Sequence, residues 1–195
     1  TLVRLKDTAE TLMKNLDAVA VRMGRIATAK ADGIYKPGSG VIRLRKPDDF
    51  DVLAHELGHH VEVNIGKPVQ SLMKVHAAEL EPMAYAGANP NHLLKEGFAE
   101  YMRVMVTNPA YAAKQAPAFD AAFRAMLAKG EPDVLKALTD AATAWKGWLE
   151  QPSATAVAST IVSSEQPWIA PKLRKELGKL GLGSTIAERI NRFYG

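Results

Sequence analysis

Two histidines four positions apart flank a glutamate in the stretch His55-Glu56-Leu57-Gly58-His59. On an α-helix, positions i and i+4 lie on the same face, so both imidazoles can bind a single metal ion. The glutamate beside them can then act on a water molecule at that ion. The spacing has this meaning only on a helix. The motif therefore predicts both a local fold and a metal site.

The residues around the motif predict a helix of about four turns. Three aspartates come where the helix should begin and favour its positive end: Asp48, Asp49 and Asp51. Four residues give the helix an apolar face: Val52, Leu53, Leu57 and Val61. Gly66 and Pro68 then end it. The alternative is that His55 and His59 are ordinary polar residues on the surface of this helix.

A catalytic zinc site usually takes three protein ligands and keeps the fourth position for water. The chain has no cysteine, so the third ligand must be a histidine or a carboxylate. Two downstream glutamates are candidates, Glu79 and Glu96. Glu96 has Glu100 on the same helical face, where a second carboxylate can accept a hydrogen bond from the far nitrogen of a ligating histidine. Glu79 lacks such a partner but stays open as a competitor.

The motif at 55–59 and the later run Glu96-Gly97-Phe98-Ala99-Glu100-Tyr101 together resemble the gluzincin metallopeptidases. The aminopeptidase branch of that family carries a similar N-E-G-F-A-x-Y run, in which the first glutamate is the third zinc ligand. The resemblance implies one zinc ion per chain held by His55, His59 and Glu96, with Glu56 as general base and Glu100 behind a ligating histidine. It covers residues 50 to 106, about a third of the chain.

Two features of the chain depart from the aminopeptidases. Thirty-six residues separate His59 from Glu96, a longer spacing than in that branch, and Glu79 falls close to the shorter one. The Gly-x-Met-x-Asn exopeptidase motif is absent before the histidines, so aminopeptidase activity is not inferred. The H-E-x-x-H-x-x-G-x-x-H pattern of metzincins is excluded, because Glu62 and Ile65 stand where its glycine and third histidine should be.

The expected fold is α+β and predominantly helical, and the resemblance implies a zincin-like fold with a small hairpin or sheet before the motif helix. Residues 33–36 and 41–44 read as two short strands around a turn. In zincins a strand in this position forms the edge of a sheet and pairs with extended substrate. The resemblance therefore implies that Val41, Ile42 and Arg43 bind substrate. The alternative is a hairpin that only packs against the core.

The rest of the chain reads as mostly helical. Helices are predicted over 2 to about 29, 69–81, about 90–106, between Pro117 and Gly130, over 132–150, and near 171–180 and 184–194. Trp145 and Trp148 are predicted to lie in the core. The whole chain, 1–195, is expected to form one domain that belongs to a longer protein.

Peptide hydrolysis by zinc usually recruits one more side chain to stabilise the oxyanion. Four residues are candidates by type: Tyr85, His92, Tyr101 and Tyr111. His92 lies four positions before Glu96, on the ligand face, and is a candidate substrate contact as well. His60 lies on another helical face than His59, so it cannot easily join the same metal and is predicted to be exposed.

The chain carries a net charge of +4, but its basic residues are scattered and its aromatic content is 7% with no interleaved pattern. Nucleic acid is therefore not the expected partner, although a basic surface serving a nucleic-acid-handling protein is a third hypothesis. No apolar run is long enough to span a membrane, and no signal-like segment opens the chain. A cytoplasmic location is expected. Nothing indicates an oligomeric state.

These observations predict a zinc metallopeptidase acting on a peptide or protein, in which a metal-activated water attacks the peptide bond and Glu56 takes its proton. Residues 33–56 and 96–109 are also similar to zincin-like domains in very long proteins of phages and conjugative elements. The alternative function is therefore a non-catalytic zinc-binding interaction module of a larger mobile-element protein.

Overall fold

A three-stranded sheet precedes the motif helix in the computed structural model, which describes residues 20–23, 26, 31–45 and 49–150. Its strands are β1 (Ala20–Met23), β2 (Gly33–Lys36) and β3 (Val41–Leu44). Their spatial order is β1-β3-β2, with β3 parallel to β1 and antiparallel to β2. The predicted hairpin is confirmed. Its turn is a short 3-10 segment, Pro37–Ser39, followed by Gly40 at φ 57°, a left-handed conformation that glycine adopts without strain.

The prediction of a helix over 2 to about 29 was wrong at residues 20–23. These residues form β1, in which Val21 is buried and Arg22 is exposed. Pairing with β3 stabilises an extended conformation, and such tertiary context commonly overrides a local pattern read as helical. Ile26, the other described residue in that range, is not helical either, and the remainder of the prediction lies outside the described residues. So do the two helices predicted near 171–180 and 184–194.

Within the described residues, seven helices follow the sheet. They are α1 (Phe50–Ile65), α2 (Lys67–Val75), α3 (Ala77–Leu80), α4 (Leu93–Thr107), α5 (Pro109–Gln115), α6 (Pro117–Gly130) and α7 (Pro132–Leu149). The side chain of Asp49 accepts a hydrogen bond from the Val52 N–H at the start of α1, and Gly66 follows its end. The predicted helix over 69–81 is divided at His76, whose ring packs edge-on against Phe119. The structure is thus mostly helical with one small sheet, as the sequence predicts.

Helices α1 and α4 pack against each other unusually closely. A Cβ atom added at Gly58 would lie 2.7 Å from the Cα of Ala99, so only glycine allows the two backbones to approach this far. The other face of α4 joins α6 in an aromatic core made of Phe98, Tyr101, Phe119 and Phe123. The glycine contact brings the two sequence motifs, one on each helix, face to face.

The described residues all belong to one compact unit, Thr1–Glu165. The prediction of a single domain over 1–195 stays a prediction, because residues 166–195 lie outside the described part of the chain. Trp145 stacks on Phe50 and on Trp148, and both tryptophans are half-buried at the edge of the core. None of the described helices has the length and apolar character required to cross a membrane.

Candidate metal centre

Helix α1 supplies two histidines and helix α4 one glutamate to a common point. The Nε2 atoms of His55 and His59 lie 3.3 Å and 3.5 Å from the Oε2 atom of Glu96. Among the described residues, these three side chains form the group whose ligand atoms all lie within 4.8 Å of one another. Two imidazole nitrogens and one carboxylate oxygen are a donor set that catalytic zinc sites use. The residues present therefore fit a zinc ion.

Glu79, the competing third ligand, is engaged elsewhere. Its carboxylate oxygens accept hydrogen bonds from the backbone N–H groups of Ala118 (3.3 Å) and Phe119 (2.9 Å). These groups belong to the first turn of α6, where helical N–H groups lack partners within the helix. Glu79 therefore caps a helix and is not part of the metal-ligand group.

A second row of polar side chains supports His55. Its Nδ1 donates to Oε1 of Glu100 over 2.9 Å, which leaves Nε2 directed toward Glu96. Glu100 in turn accepts a hydrogen bond from Nε of Arg103 (2.8 Å), and Nη1 of Arg103 donates to Asp51 on α1 (2.9 Å). Arg103 and Asp51 were not anticipated from the sequence. The signal was present, because Glu96, Glu100 and Arg103 are spaced i, i+4 and i+7 on one helix.

The ionisation of this cluster favours a protonated His55 when no metal is bound. Burial acts to lower the pKa of His55, but hydrogen bonds to Glu100 and Glu96 outweigh it and raise the pKa to about 9. Hydrogen bonds to His55 and His59 lower the pKa of Glu96 to about 2. Burial opposes ionisation of Glu100, yet its bonds to His55 and Arg103 leave its pKa lowered. The metal-free cluster is therefore an ion-paired network.

Zinc binding should release a proton from this network. At pH 7.5 His55 is protonated in the metal-free protein, because its pKa is about 9. A metal ion needs the neutral imidazole, so one proton leaves per zinc bound, and affinity rises about tenfold per pH unit up to that pKa. Isothermal titration calorimetry in buffers of different ionisation enthalpy measures the number of protons released. A value near zero at pH 7.5 would contradict this account of the site.

Glu56 lies beside the ligands under strand β2. It is 7% exposed, and burial raises its pKa, while the backbone N–H of Tyr35 donates a hydrogen bond to it. A Cβ atom at Gly33 would lie 2.8 Å from Oε1 of Glu56 and 2.4 Å from Cγ1 of Val52. Glycine at position 33 thus allows β2 to lie directly over the carboxylate. No local sequence pattern predicts this contact, because it depends on the tertiary packing of the strand.

The prediction that Val41, Ile42 and Arg43 pair with substrate at a sheet edge was wrong. Their strand, β3, is the central one and is paired with β1 on one side and β2 on the other. Its backbone groups are engaged on both sides, so an extended peptide cannot pair with it. Among the described strands, β2 is the one with an edge beside the candidate site. Gly33, Ile34 and Tyr35 of β2 line the cleft.

A cleft of about 760 Å³ contains the ligand cluster and Glu56. Of the four oxyanion candidates, Tyr85 and His92 line it, and the Tyr85 ring lies 6.1 Å from that of His55. Tyr101 is buried and donates to Asp120 in the core, so it is not available to substrate. Tyr111 lies on α5 and does not line the cleft.

The expectation that His60 is exposed was wrong. His60 is buried, and its ring contacts the edge of Tyr35 and the side chain of Asn64. It therefore supports β2 from beneath.

No family model, no curated protein and no solved structure matches this chain. The geometry of the cleft and its ligand cluster therefore carries the functional conclusion.

Proposed function

We propose that this chain is a zinc-dependent peptidase of the gluzincin type with a zincin-like fold. The observation that carries the proposal is the convergence of His55, His59 and Glu96 within 4.8 Å, with the buried Glu56 beside them in one cleft. The cluster joins two motifs that lie far apart in sequence, and Glu100 orients His55 from behind. A structural metal site has no need of an additional buried carboxylate facing the cleft.

In the proposed reaction, Glu56 is the general base. Zinc held by His55, His59 and Glu96 would supply Lewis acidity, lowering the pKa of water toward neutrality and polarising the peptide carbonyl. Glu56 takes the proton of the attacking water and passes it to the leaving amine. Burial raises its pKa, which makes the protonated carboxyl easier to form in the middle of that cycle. The Tyr35 N–H and the close approach of Gly33 fix its position.

The free edge of β2 is the proposed binding strand for an extended substrate. The backbone N–H of Arg45, just after β3, donates to the carbonyl of Asp32, just before β2. In β2, the backbone groups of the even-numbered residues therefore form hydrogen bonds with β3. Successive residues of a strand alternate in the direction of their backbone groups. The peptide groups of Gly33 and Tyr35 therefore point to the free edge, as the Tyr35 hydrogen bond to Glu56 requires. A peptide paired with Gly33 would pass directly beside Glu56.

Tyr85 is the proposed oxyanion-stabilising residue, since its ring lies beside His55 and lines the cleft. We expect Tyr85→Phe to lower kcat roughly 100-fold, as loss of one oxyanion donor usually does, with KM and zinc content unchanged. Tyr111→Phe is the matched control, because Tyr111 is 47% exposed against 50% for Tyr85 but lies outside the cleft lining. Equal kcat for Tyr85→Phe and wild type would exclude Tyr85 from this role.

The proposal is tested by incubating the zinc-loaded protein with a mixed-sequence peptide library and identifying new termini by mass spectrometry. We expect cleavage that stops on addition of a zinc chelator and returns when zinc is restored. A protein that binds zinc but cleaves no member of the library would instead support the alternative, a non-catalytic zinc-binding interaction module.

A further inference from the structure

One face of the sheet is basic and is turned away from α1. Residues on the opposite face contact that helix: Gly33 approaches Val52, and Tyr35 approaches His60. Because side chains alternate along a strand, the outer face carries a different set. Its described members are Arg22, Asp32, Ile34, Lys36, Val41, Arg43 and Arg45. Four of these are cationic and one is acidic.

Arg22 and Arg43 are directly opposite each other in the register of β1 and β3. Like charges in such a pair repel. The positive charge of Arg45 is offset by a salt bridge to Asp32, and its guanidinium also donates to the Ala31 carbonyl. Among the described residues, neither Arg22 nor Arg43 forms a salt bridge, and the buried Nε of Arg43 has no hydrogen-bond partner. Arg22 is exposed and Arg43 is half-buried, and no described carboxylate offsets their two positive charges, so the pair is suited to an anion.

This arginine pair does not itself line the cleft, but it adjoins a residue that does. Ile34 is the partner of Arg43 in the register of β2 and β3, and Ile34 lines the cleft. A peptide strand on the free edge of β2 would place the side chain opposite Ile34 on the same face as Arg43. The two backbones would then be two strand spacings apart, roughly 10 Å. An arginine and a glutamate side chain together can span that gap.

We propose that Arg43, with Arg22 beside it, binds the carboxylate of an acidic substrate side chain opposite Ile34. The peptidase would therefore select peptides with Glu or Asp at one position near the cleaved bond. Arginine binds a carboxylate through two parallel hydrogen bonds, which gives geometric as well as charge selectivity. The described residues of this face include no aromatic ring on which a base could stack, so an acidic peptide fits it better than a nucleic acid. This inference rests on the proposed peptidase function.

The test begins with a peptide that the wild type cleaves, resynthesised with Glu, Gln or Lys at each position in turn. At one position, we expect kcat/KM for Glu to exceed that for Gln about tenfold, and Lys to be poorer still. Arg43→Met should remove the difference by lowering kcat/KM for the Glu peptide to about that for the Gln peptide. Lys114→Met, which removes one charge from α5, is the matched control and should keep the wild-type preference.

Folding does not confound this test. Arg43→Met removes a buried donor that has no partner, so its melting temperature should equal or exceed that of the wild type. No preference for Glu in the wild type, or a preference that survives in Arg43→Met, would overturn the inference.

A binding measurement distinguishes failure of the acidic-side-chain inference from failure of the peptidase proposal. Fluorescence anisotropy with zinc-loaded Glu56→Gln compares labelled random peptides that contain Glu with their Gln-matched counterparts. Tighter binding of the Glu set, lost in the double variant with Arg43→Met, supports the acidic-side-chain site even if no peptide is cleaved. Equal binding of both sets overturns it, and salt-dependent binding of single-stranded DNA that requires Arg43 would then assign this face to nucleic acid.

Discussion

Replacing Glu56 with glutamine should leave zinc bound and lower kcat for peptide hydrolysis by roughly 1,000-fold. Glutamine keeps the size of the side chain and can still accept the Tyr35 N–H, but it cannot take a proton from the attacking water. KM should change little, because the substrate contacts proposed on β2 are untouched. The measurement is steady-state cleavage of a fluorogenic peptide, with zinc content determined on the same preparation.

Glu62→Gln is the matched control for that substitution. Glu62 is also a buried glutamate of α1 that lines the cleft, but it is engaged by Gln70 and Lys95. We expect its glutamine variant to retain kcat within a few-fold of the wild type. Near wild-type activity in Glu56→Gln, with zinc bound, would contradict the proposed mechanism. Equal losses in both variants would show that the cleft merely requires negative charge.

Replacing Glu96 with alanine should weaken zinc binding by more than about 100-fold. Loss of a residue that only hydrogen-bonds to a metal ligand usually costs about 10- to 100-fold in metal affinity. The carboxylate is the third ligand in the cluster and brings α4 to the metal. Glu100→Ala should fall within that smaller range, because it only orients His55. Competition with a chromophoric chelator measures both affinities.

Glu79→Ala is the control that tests whether Glu79 or Glu96 is the third zinc ligand. It should keep wild-type zinc affinity but reduce the free energy of unfolding by about 1 kcal/mol, because the first turn of α6 loses its capping acceptor. Loss of zinc in Glu79→Ala, with retention in Glu96→Ala, would move the third ligand and remove the basis of the family comparison.

The elements whose signals are local could be predicted from the sequence. Helix α1 begins after a capping aspartate and ends at a glycine, and the Asn89-Pro90 pair starts the turn that leads into α4. The hairpin follows from two short apolar runs around a Pro-Gly turn. The i, i+4 spacings on two separate helices also indicated a shared metal site and favoured Glu96 while leaving Glu79 open, and His55, His59 and Glu96 lie together in the structure.

Features that depend on tertiary pairing could not be predicted. Strand β1 pairs in parallel with β3, although the two segments lie about twenty residues apart in sequence. Strand β3 is therefore central, and the free edge beside the site belongs to β2. His60 became buried because β2 lies over α1 and brings Tyr35 against its ring. No local pattern encodes either contact. Glu79 was excluded as a ligand only by the hydrogen bonds that its carboxylate accepts from the first turn of α6.

The most direct test of the central claim is the zinc content of the purified wild-type chain, measured by elemental analysis after zinc loading and desalting. The ligand cluster of His55, His59 and Glu96 predicts one zinc ion per chain. A protein that remains free of metal after zinc is supplied would contradict the account, and the histidine pair would then be two polar residues on the surface of a helix.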